Sequence, residues 1–323
     1  MYNVVSLFCG CGGVDLGTVG GFRFNKRDYA KHPCKLVYAC DIDQKAVDSH
    51  KLNFDAKNAV CADICDVGAD EIPECDILTG GFPCQSFSTV NPTKDPFDDR
   101  ANLYKQMVRI VQSKQPKVFV AENVKGMMTL HKGTIFKRVI AAFEGAGYKT
   151  FYSLLNAADY GVPQKRERVI IVGIRNDIWK QHGDFIFPAK TNMGNWVPLS
   201  VAVPQLAISE KKYYFSEKAV QGMKNAKNNM KRGLAQKLDE PCLTVTSHLA
   251  KVSLNSRDPV LLVDSQKELY RRFTPLEAAR IQSFPDTFQF AGTETTAYKQ
   301  IGNAIPPVMF WHITDAIIKY LEQ

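Results

Sequence analysis

The sequence predicts an α/β fold: an open sheet alternating with helices, interrupted by a smaller inserted lobe. Three observations carry this expectation. Short apolar runs recur up to about residue 176, each ending in glycines or an acid, with helical patterns between them. That alternation stops over 177–268, where short strand-like pieces, polar turns and one basic helix replace it. It returns over 269–323. A chain of 323 residues is long enough for one large core and a second lobe. The expected division is therefore 1–176, an insertion over 177–268, and a C-terminal part over 269–323 that rejoins the first domain.

The first strand, Val4-Val5-Ser6-Leu7-Phe8, runs into Cys9-Gly10-Cys11-Gly12-Gly13. A strand feeding a glycine-rich turn lets a ligand approach the backbone. The spacing is Phe-x-Gly-x-Gly-Gly, and no Lys-Ser/Thr follows, so the phosphate loops of dinucleotide enzymes and NTPases fit poorly. The second strand, Leu36 to Cys40, ends in Asp41-Ile42-Asp43. Asp41 is assigned to a ribose hydroxyl pair and Asp43 to the N-cap of the next helix. The third strand, residues 58–62, ends in Asp63-Ile64. Three such strand ends make a nucleoside pocket without a pyrophosphate site, which suits S-adenosylmethionine and not NAD.

The fourth strand, Asp76-Ile77-Leu78-Thr79, breaks into Gly80-Gly81-Phe82-Pro83-Cys84-Gln85-Ser86-Phe87-Ser88. Pro83 fixes its own φ and biases Phe82 toward an extended shape, so a thiol is presented at a strand's C-terminal end. Cys84 is there a candidate nucleophile, or a small core residue. Ser88 to Arg100 reads as a loop over the site. Leu103, Met107 and Val111 mark a helix that stops before Pro116. The fifth strand, Val118 to Ala121, ends in Glu122-Asn123-Val124, where a carboxyl is costly unless it works or is paired. A helix over Phe136 to Phe143 is capped by Gly145 or Gly147. Gln164-Lys165-Arg166-Glu167-Arg168 leads into the strand Val169 to Val172, and Arg166 and Arg168, two apart, face the same way. Two guanidiniums on one face suit oxygen acceptors of a ligand.

The net charge of +8 is uneven: Ser209 to Lys237 holds eight basic and two acidic residues, which is most of the excess. Such a patch suits a polyanion. Its helix starts at Ser216 as N-cap and stops at Gly233. In the last part, Thr274-Pro275-Leu276-Glu277 is a helix start with a capping box. A final helix from Pro306-Pro307 buries Phe310, Ile313, Ile317 and Tyr320. The nine cysteines contain no CxxC pair, and no histidine joins Cys9-x-Cys11 or Cys61-x3-Cys65 at ligand spacing, so no metal is expected. No apolar run approaches a membrane span and the N-terminus does not read as a signal peptide; a cytoplasmic setting is expected.

In order along nearly the whole chain, Phe8-x-Gly10-x-Gly12-Gly13, Gly81-Phe82-Pro83-Cys84-Gln85, Glu122-Asn123-Val124, Gln164-x-Arg166-x-Arg168, Arg271-Arg272-Phe273-Thr274-Pro275-x-Glu277 and Gly302-Asn303-Ala304 resemble the motifs of the cytosine-C5 DNA methyltransferases of restriction-modification type. The resemblance implies a Rossmann-like, S-adenosylmethionine-dependent catalytic domain with 177–268 as the target-recognition domain. It implies that Cys84 adds to C6 of a flipped-out cytosine, that Glu122 serves N3 and N4, and that Arg168, with Arg166 beside it, holds O2. It places the cofactor against Phe8, Gly10, Cys11, Gly12, Gly13 and Leu16, with Asp41 at the ribose and Ile42 on an adenine face. Asp63 and Ile64 lie at the adenine, and Pro83, Leu103, Asn303 and Ala304 complete the walls. Ile42 stands where an aromatic residue is sometimes found, so a stacking contribution is lost. Thr244-Val245-Thr246 matches the recognition domain's Thr-x-Thr element. Duplex DNA would meet Thr244, Thr246, Ser247, His248 and Lys251, the loop residues Gln85, Ser88 and Arg100, and Lys231 and Arg232 of the basic helix. A monomer with a separate cognate endonuclease completes the expectation.

The nearest alternative keeps the fold and changes the substrate, since one branch of this family resembles the DNA enzymes in its motifs and methylates a tRNA cytosine. A catalytically silent DNA-binding relative is the other, and intact Cys84, Glu122 and Arg168 argue against it.

Overall fold

The structure is a computed structural model, and it describes residues 1–54, 59–83, 103–225, 235–251 and 259–323. The first third is β1 (Tyr2–Leu7), α1 (Gly13–Val19), the hairpin β2 (Phe22–Phe24) and β3 (Arg27–Tyr29), β4 (Cys34–Asp41), α2 (Gln44–Asn53), β5 (Ala59–Cys61) and β6 (Ile77–Gly80). Then come α3 (Leu103–Lys114), β7 (Val118–Val124), α4 (Thr134–Gly145), β8 (Tyr148–Asn156), β9 (Gln164–Lys165), β10 (Glu167–Arg175) and α5 (Asn176–His182). The rest is α6 (Glu217–Lys224), β11 (Cys242–Leu243), β12 (Leu261–Asp264), β13 (Leu269–Arg271), α7 (Pro275–Ile281), α8 (Glu294–Asn303) and α9 (Pro307–Leu321).

Seven strands form one sheet in the order β5-β4-β1-β6-β7-β10-β8. β5, β4, β1, β6 and β7 are parallel, whereas β10 runs antiparallel to both β7 and β8. Alternation along each strand fills both faces. Val5, Leu78, Phe119 and Ile171 meet α3 and α4 through Met107, Val111, Val139 and Phe143. Val4, Ile77, Val118 and Ile170 meet α9 through Val308, Ile313 and Ile317. The chain leaves β1 toward β4 and β5 and then returns to its other side as β6 and β7. That reversal opens a crevice at the carboxyl ends of β1 and β6, where open α/β sheets bind ligands.

Most elements lie where the hydrophobic pattern places them. Asp43 caps α2 through Lys45 and Ala46 N–H. Thr274 and Glu277 form the capping box of α7, with proline in its first turn. Two departures stand out. β8, half-buried along its length at the sheet edge, has too weak a pattern to be read as a strand. And α5 with Phe185 and Phe187 packs into the first domain's core, with a His182 Nδ1 contact of 2.9 Å to Tyr320 O, so that core runs past residue 176.

The inserted residues and the C-terminal return share a core. Leu199, Val203, Cys242, Val245 and Leu261 pack with Phe273, Ala278, Phe284 and Ile301. Ser216 Oγ accepts the Ala219 N–H at 3.3 Å and starts α6, whose described helix ends at Lys224. The expected stop at Gly233 lies outside the described residues.

Candidate active site

Glu122 and Arg168 stand on the neighbouring strands β7 and β10, in a register that pairs Glu122 with Ile170 and Val124 with Arg168. Arg168 Nε lies 2.8 Å from Glu122 Oε1, with the two side chains 14% and 13% exposed. Burial pushes the Glu122 carboxyl above its ordinary range even though Arg168 and Arg166 pull it down. Glu122 Oε2 comes within 3.3 Å of the point where a side chain on Gly81 would begin, so the backbone leading to Cys84 passes directly against this acid. Asn123 Nδ2 donates to Phe82 O at 2.9 Å and ties that backbone to β7. Cys84 itself, with Gln85, Ser88 and Arg100, lies outside the described residues, as do Lys231 and Arg232.

The second half of the crevice is built on β1 and β4. Asp41 Oδ2 accepts the Gly10 N–H at 2.8 Å and Oδ1 accepts the Asp43 N–H at 2.9 Å. Burial nevertheless raises the Asp41 carboxyl. Gly10 has φ +55 and nothing within 4 Å of where a Cβ would stand, so this turn leaves open space at its surface. Phe8 also has positive φ, +54, a conformation that a bulky residue rarely adopts and that gathers at ligand sites. Ile42 is 70% exposed beside Asp41, and Asp63 Oδ1 accepts the Cys65 N–H at 2.9 Å. Gly12 and Gly13 are buried, Pro83 and Leu103 are half-buried, and Asn303 is exposed at the end of α8 with Ala304 beside it.

Several expected roles change. Arg166 does not share a ligand-facing surface with Arg168. It is 2% exposed, and its Nη1 and Nη2 donate to Val245 O and Gly302 O at 3.0 and 2.9 Å. The chain leaves regular pairing between β9 and β10 at this residue, so the simple alternation rule does not apply. Ile64 is buried in the core with Met107 and Phe82. Leu16 lines a separate groove of about 840 Å³ with Phe22, Phe24, Leu52, Pro285 and Phe288. Cys11 is buried, and burial drives its thiol to about 12. Burial also raises the Cys9 thiol well above its ordinary range, which argues against either being a reactive thiol. Cys9, Asp15 and His50 gather with their ligand atoms within 4.8 Å of one another. Asp15 and His50 are bonded at 2.9 Å, a buried contact that joins α1 to α2.

On the recognition side, β11 pairs with β9 in parallel, and Thr244 Oγ1 donates to Lys165 O at 2.8 Å. Thr246 Oγ1 accepts the His248 N–H at 3.2 Å in a turn that exposes His248 and Lys251. Thr244, Lys165, Arg168, Lys125 and Asn156 surround a polar cavity of about 410 Å³ beside Glu122. Lys125 and Lys165 were not singled out from the sequence, although each lies within or next to a recognised motif. Of the basic window, Lys212 pairs with Glu294, Lys224 with Glu268 and Lys237 with Glu240. Those lysines are partly neutralised, which weakens the expectation that the window as a whole faces phosphate.

A mostly parallel sheet with a glycine turn and an acid at successive strand ends, beside a largely shielded carboxyl–guanidinium pair, has the S-adenosylmethionine-dependent methyltransferase fold. The chain belongs to the C-5 cytosine-specific DNA methylases, whose family model matches residues 2–319. It is similar to the Type II methyltransferase M1.ScrFI of Lactococcus lactis subsp. cremoris, 32% identical over 329 residues that cover 100% of this chain and 79% of that protein. It is also similar to the Type II methyltransferase M.BsuRI of Bacillus subtilis, 34% identical over 367 residues, covering 99% of this chain and 82% of that one. Among solved structures, the Dnmt2 methyltransferase of S. pombe shares the fold at a TM-score of 0.73 and 19% identity over 99% of both chains. The protein is a DNA cytosine-C5 methyltransferase.

Proposed function

We propose that this chain methylates C5 of a cytosine flipped out of a short, specific duplex DNA site, with Cys84 as the nucleophile, Glu122 as the acid at N3 and Arg168 at O2. The observation that carries the reading is the Glu122–Arg168 pair, whose acid is raised by burial and lies against the backbone that enters Cys84. Cytosine C5 is a poor nucleophile. Addition of the Cys84 thiolate to C6 pushes electrons toward N3, where Glu122 supplies a proton, and C5 becomes enamine-like. Arg168 steadies the oxygen that shares this charge and orients Glu122. C5 then takes the methyl group, the C5 proton leaves to water, Cys84 is expelled as the ring regains its double bond, and the N3 proton returns to Glu122. A base inside a duplex must leave the stack for this chemistry.

The residues at β1 and β4 fit the cofactor. S-adenosylmethionine, when bound, supplies an electrophilic methyl group. Asp41 retains lone pairs for ribose hydroxyls beyond its two backbone bonds, the open Gly10 turn takes the methionine part, and exposed Ile42 covers adenine. Asp63 is placed for the adenine amino group, with Phe8, Pro83, Leu103 and Asn303 as walls. Lys165 and Lys125, which also pair with Glu240 and Glu167, offer the 410 Å³ cavity to a backbone phosphate, and His248 and Lys251 are the exposed groups for base contact. The domain division 1–176, 177–268 and 269–323 is kept, with the first boundary moved to about residue 188 because Phe185 and Phe187 pack on the sheet. Among the described residues no helix is long and apolar enough to cross a membrane, and an intracellular monomer with a separately acting endonuclease goes with this reading.

The test is expression of the wild type and Cys84→Ala in a host without cytosine methylation, followed by base-resolution mapping of 5-methylcytosine. Methylation at one short motif, lost by at least about 10⁴-fold in the variant, is expected. Folded wild type that leaves genomic DNA unmodified and instead modifies tRNA would replace the DNA reading with the tRNA one.

A further inference from the structure

Two side chains at the start of the strand carrying Arg168 make bonds that leave the sheet. Gln164 and Arg166 grip the backbone of one residue of the recognition segment on both sides: Val245 N–H donates to Gln164 Oε1 at 2.8 Å, and Val245 O accepts Arg166 Nη1 at 3.0 Å. Arg166 Nη2 donates to Gly302 O at 2.9 Å, inside the motif that ends in Asn303. Gln164 Nε2 donates to Gln282 Oε1 at 2.7 Å, and Gln282 Nε2 donates to Ile301 O at 2.6 Å and Ala304 O at 3.1 Å. Gln164, Arg166 and Gln282 are all buried. The segments themselves touch: a Cβ on Gly302 would stand 2.2 Å from Thr246 C and 2.3 Å from Ser247 N.

Four stretches of chain thus meet through three buried polar side chains, although Arg166 is 79 residues from Val245 and 136 from Gly302. An apolar core would join them more cheaply, because a buried guanidinium held by neutral carbonyls is poorly compensated. What an apolar core would not do is fix the segments in register, since only hydrogen bonds are directional. The two segments fixed here bear Thr244 to Ser247 on one side and Asn303 on the other, and the strand between them continues into Arg168.

We propose that Gln164, Arg166 and Gln282 are positioning residues that hold the Thr244–Ser247 segment and the Asn303 end of α8 in one arrangement around the Glu122–Arg168 edge, so that target base and cofactor are presented to each other. This rests on the proposed function for the identity of the two ligands, and on the hydrogen bonds alone for the clamp. Arg166 then acts through others and touches neither ligand.

The experiment compares full-length wild type, Gln282→Met and Arg166→Lys. Arg166→Lys is the gentler change, as one ammonium can still serve one of the two carbonyls. Amide hydrogen exchange over Val245 to Leu249 and over Ile301 to Ala304 is measured first, together with thermal melting to establish folding. Kinetics on duplex DNA follow, per active site. The expected result is faster exchange in both segments, a kcat lower by the order of 10²-fold for Gln282→Met and less for Arg166→Lys, and KM values for DNA and cofactor within about threefold of wild type. Unchanged exchange in folded variants overturns the clamp, whether or not the protein methylates anything. Faster exchange with wild-type kcat overturns the positioning role and leaves a purely structural one. If wild type fails on duplex DNA, the functional reading falls and the exchange comparison still decides the clamp.

Discussion

The two sides of the crevice are built by different means. The cofactor side is local: Gly10, Asp41 and Asp43 sit at the ends of adjacent strands and are held by two short hydrogen bonds and a helix cap. The recognition side is long-range: Val245, Gly302, Gln164, Arg166 and Gln282 come from four distant stretches and meet only in the folded core. A local site forms when its strands pair. A long-range site is correct only when both lobes have docked, so it links the arrangement of the recognition segment to that of the cofactor wall.

The contrast can be sharpened with two buried carboxyls that burial raises on opposite sides of the crevice. In the proposed mechanism Glu122 works protonated and Asp41 ionised. Activity should therefore fall as pH rises through the Glu122 pKa and cofactor affinity should fall as pH drops through that of Asp41, giving a bell-shaped kcat/KM. Glu122→Gln is expected to lower kcat by about 10²-fold or more and to remove the alkaline limb. Asp41→Asn is expected to raise the cofactor KM by about tenfold or more, with kcat little changed, and to flatten the acid limb. A full pH profile of both variants checks this, and identical limbs in wild type and variants would break the assignment.

Gly302→Ala probes the other side. Its added methyl must displace the Thr246–Ser247 backbone, at a cost of about 1–3 kcal/mol. The expected outcome is a lower melting temperature together with slower turnover, whereas wild-type stability and rate would mean the segments are not pressed together in solution. The smallest effect concerns phosphate. Removal of Lys165, which lines the polar cavity and lies 3.6 Å from Glu240, should reduce the slope of log K for DNA against log salt by about 0.9, while removal of Lys212 or Lys224, which pair with glutamates and do not line that cavity, should change it less. Equal slopes for all three would return the phosphate role to the basic window.

Much of the cofactor side was legible because short-range rules govern it. A strand pattern ending in Asp41, a cap at Asp43 and a capping box at Thr274 and Glu277 need only neighbouring residues to form. Glu122 was legible for a related reason, since a carboxyl at the end of a buried strand demands a partner, and Arg168 is that partner. Arg166 does not face the same way as Arg168 because motif position says which residues are near one another and not which way each side chain turns. For Arg166 the deciding facts were the break between β9 and β10 and the two carbonyls that arrive from residues 245 and 302.

The sequence by itself determined the α/β alternation, the order of the motifs, and the acids at the ends of successive buried strands, because periodicity and strand-end chemistry are local properties of the chain. The tertiary structure alone decided that β10 reverses direction, that three lysines of the basic window are paired with glutamates, and that Gln164, Arg166 and Gln282 bond to backbone from distant stretches. Those outcomes depend on which distant carbonyl or carboxylate is brought within hydrogen-bonding distance, and no spacing in the sequence encodes that distance.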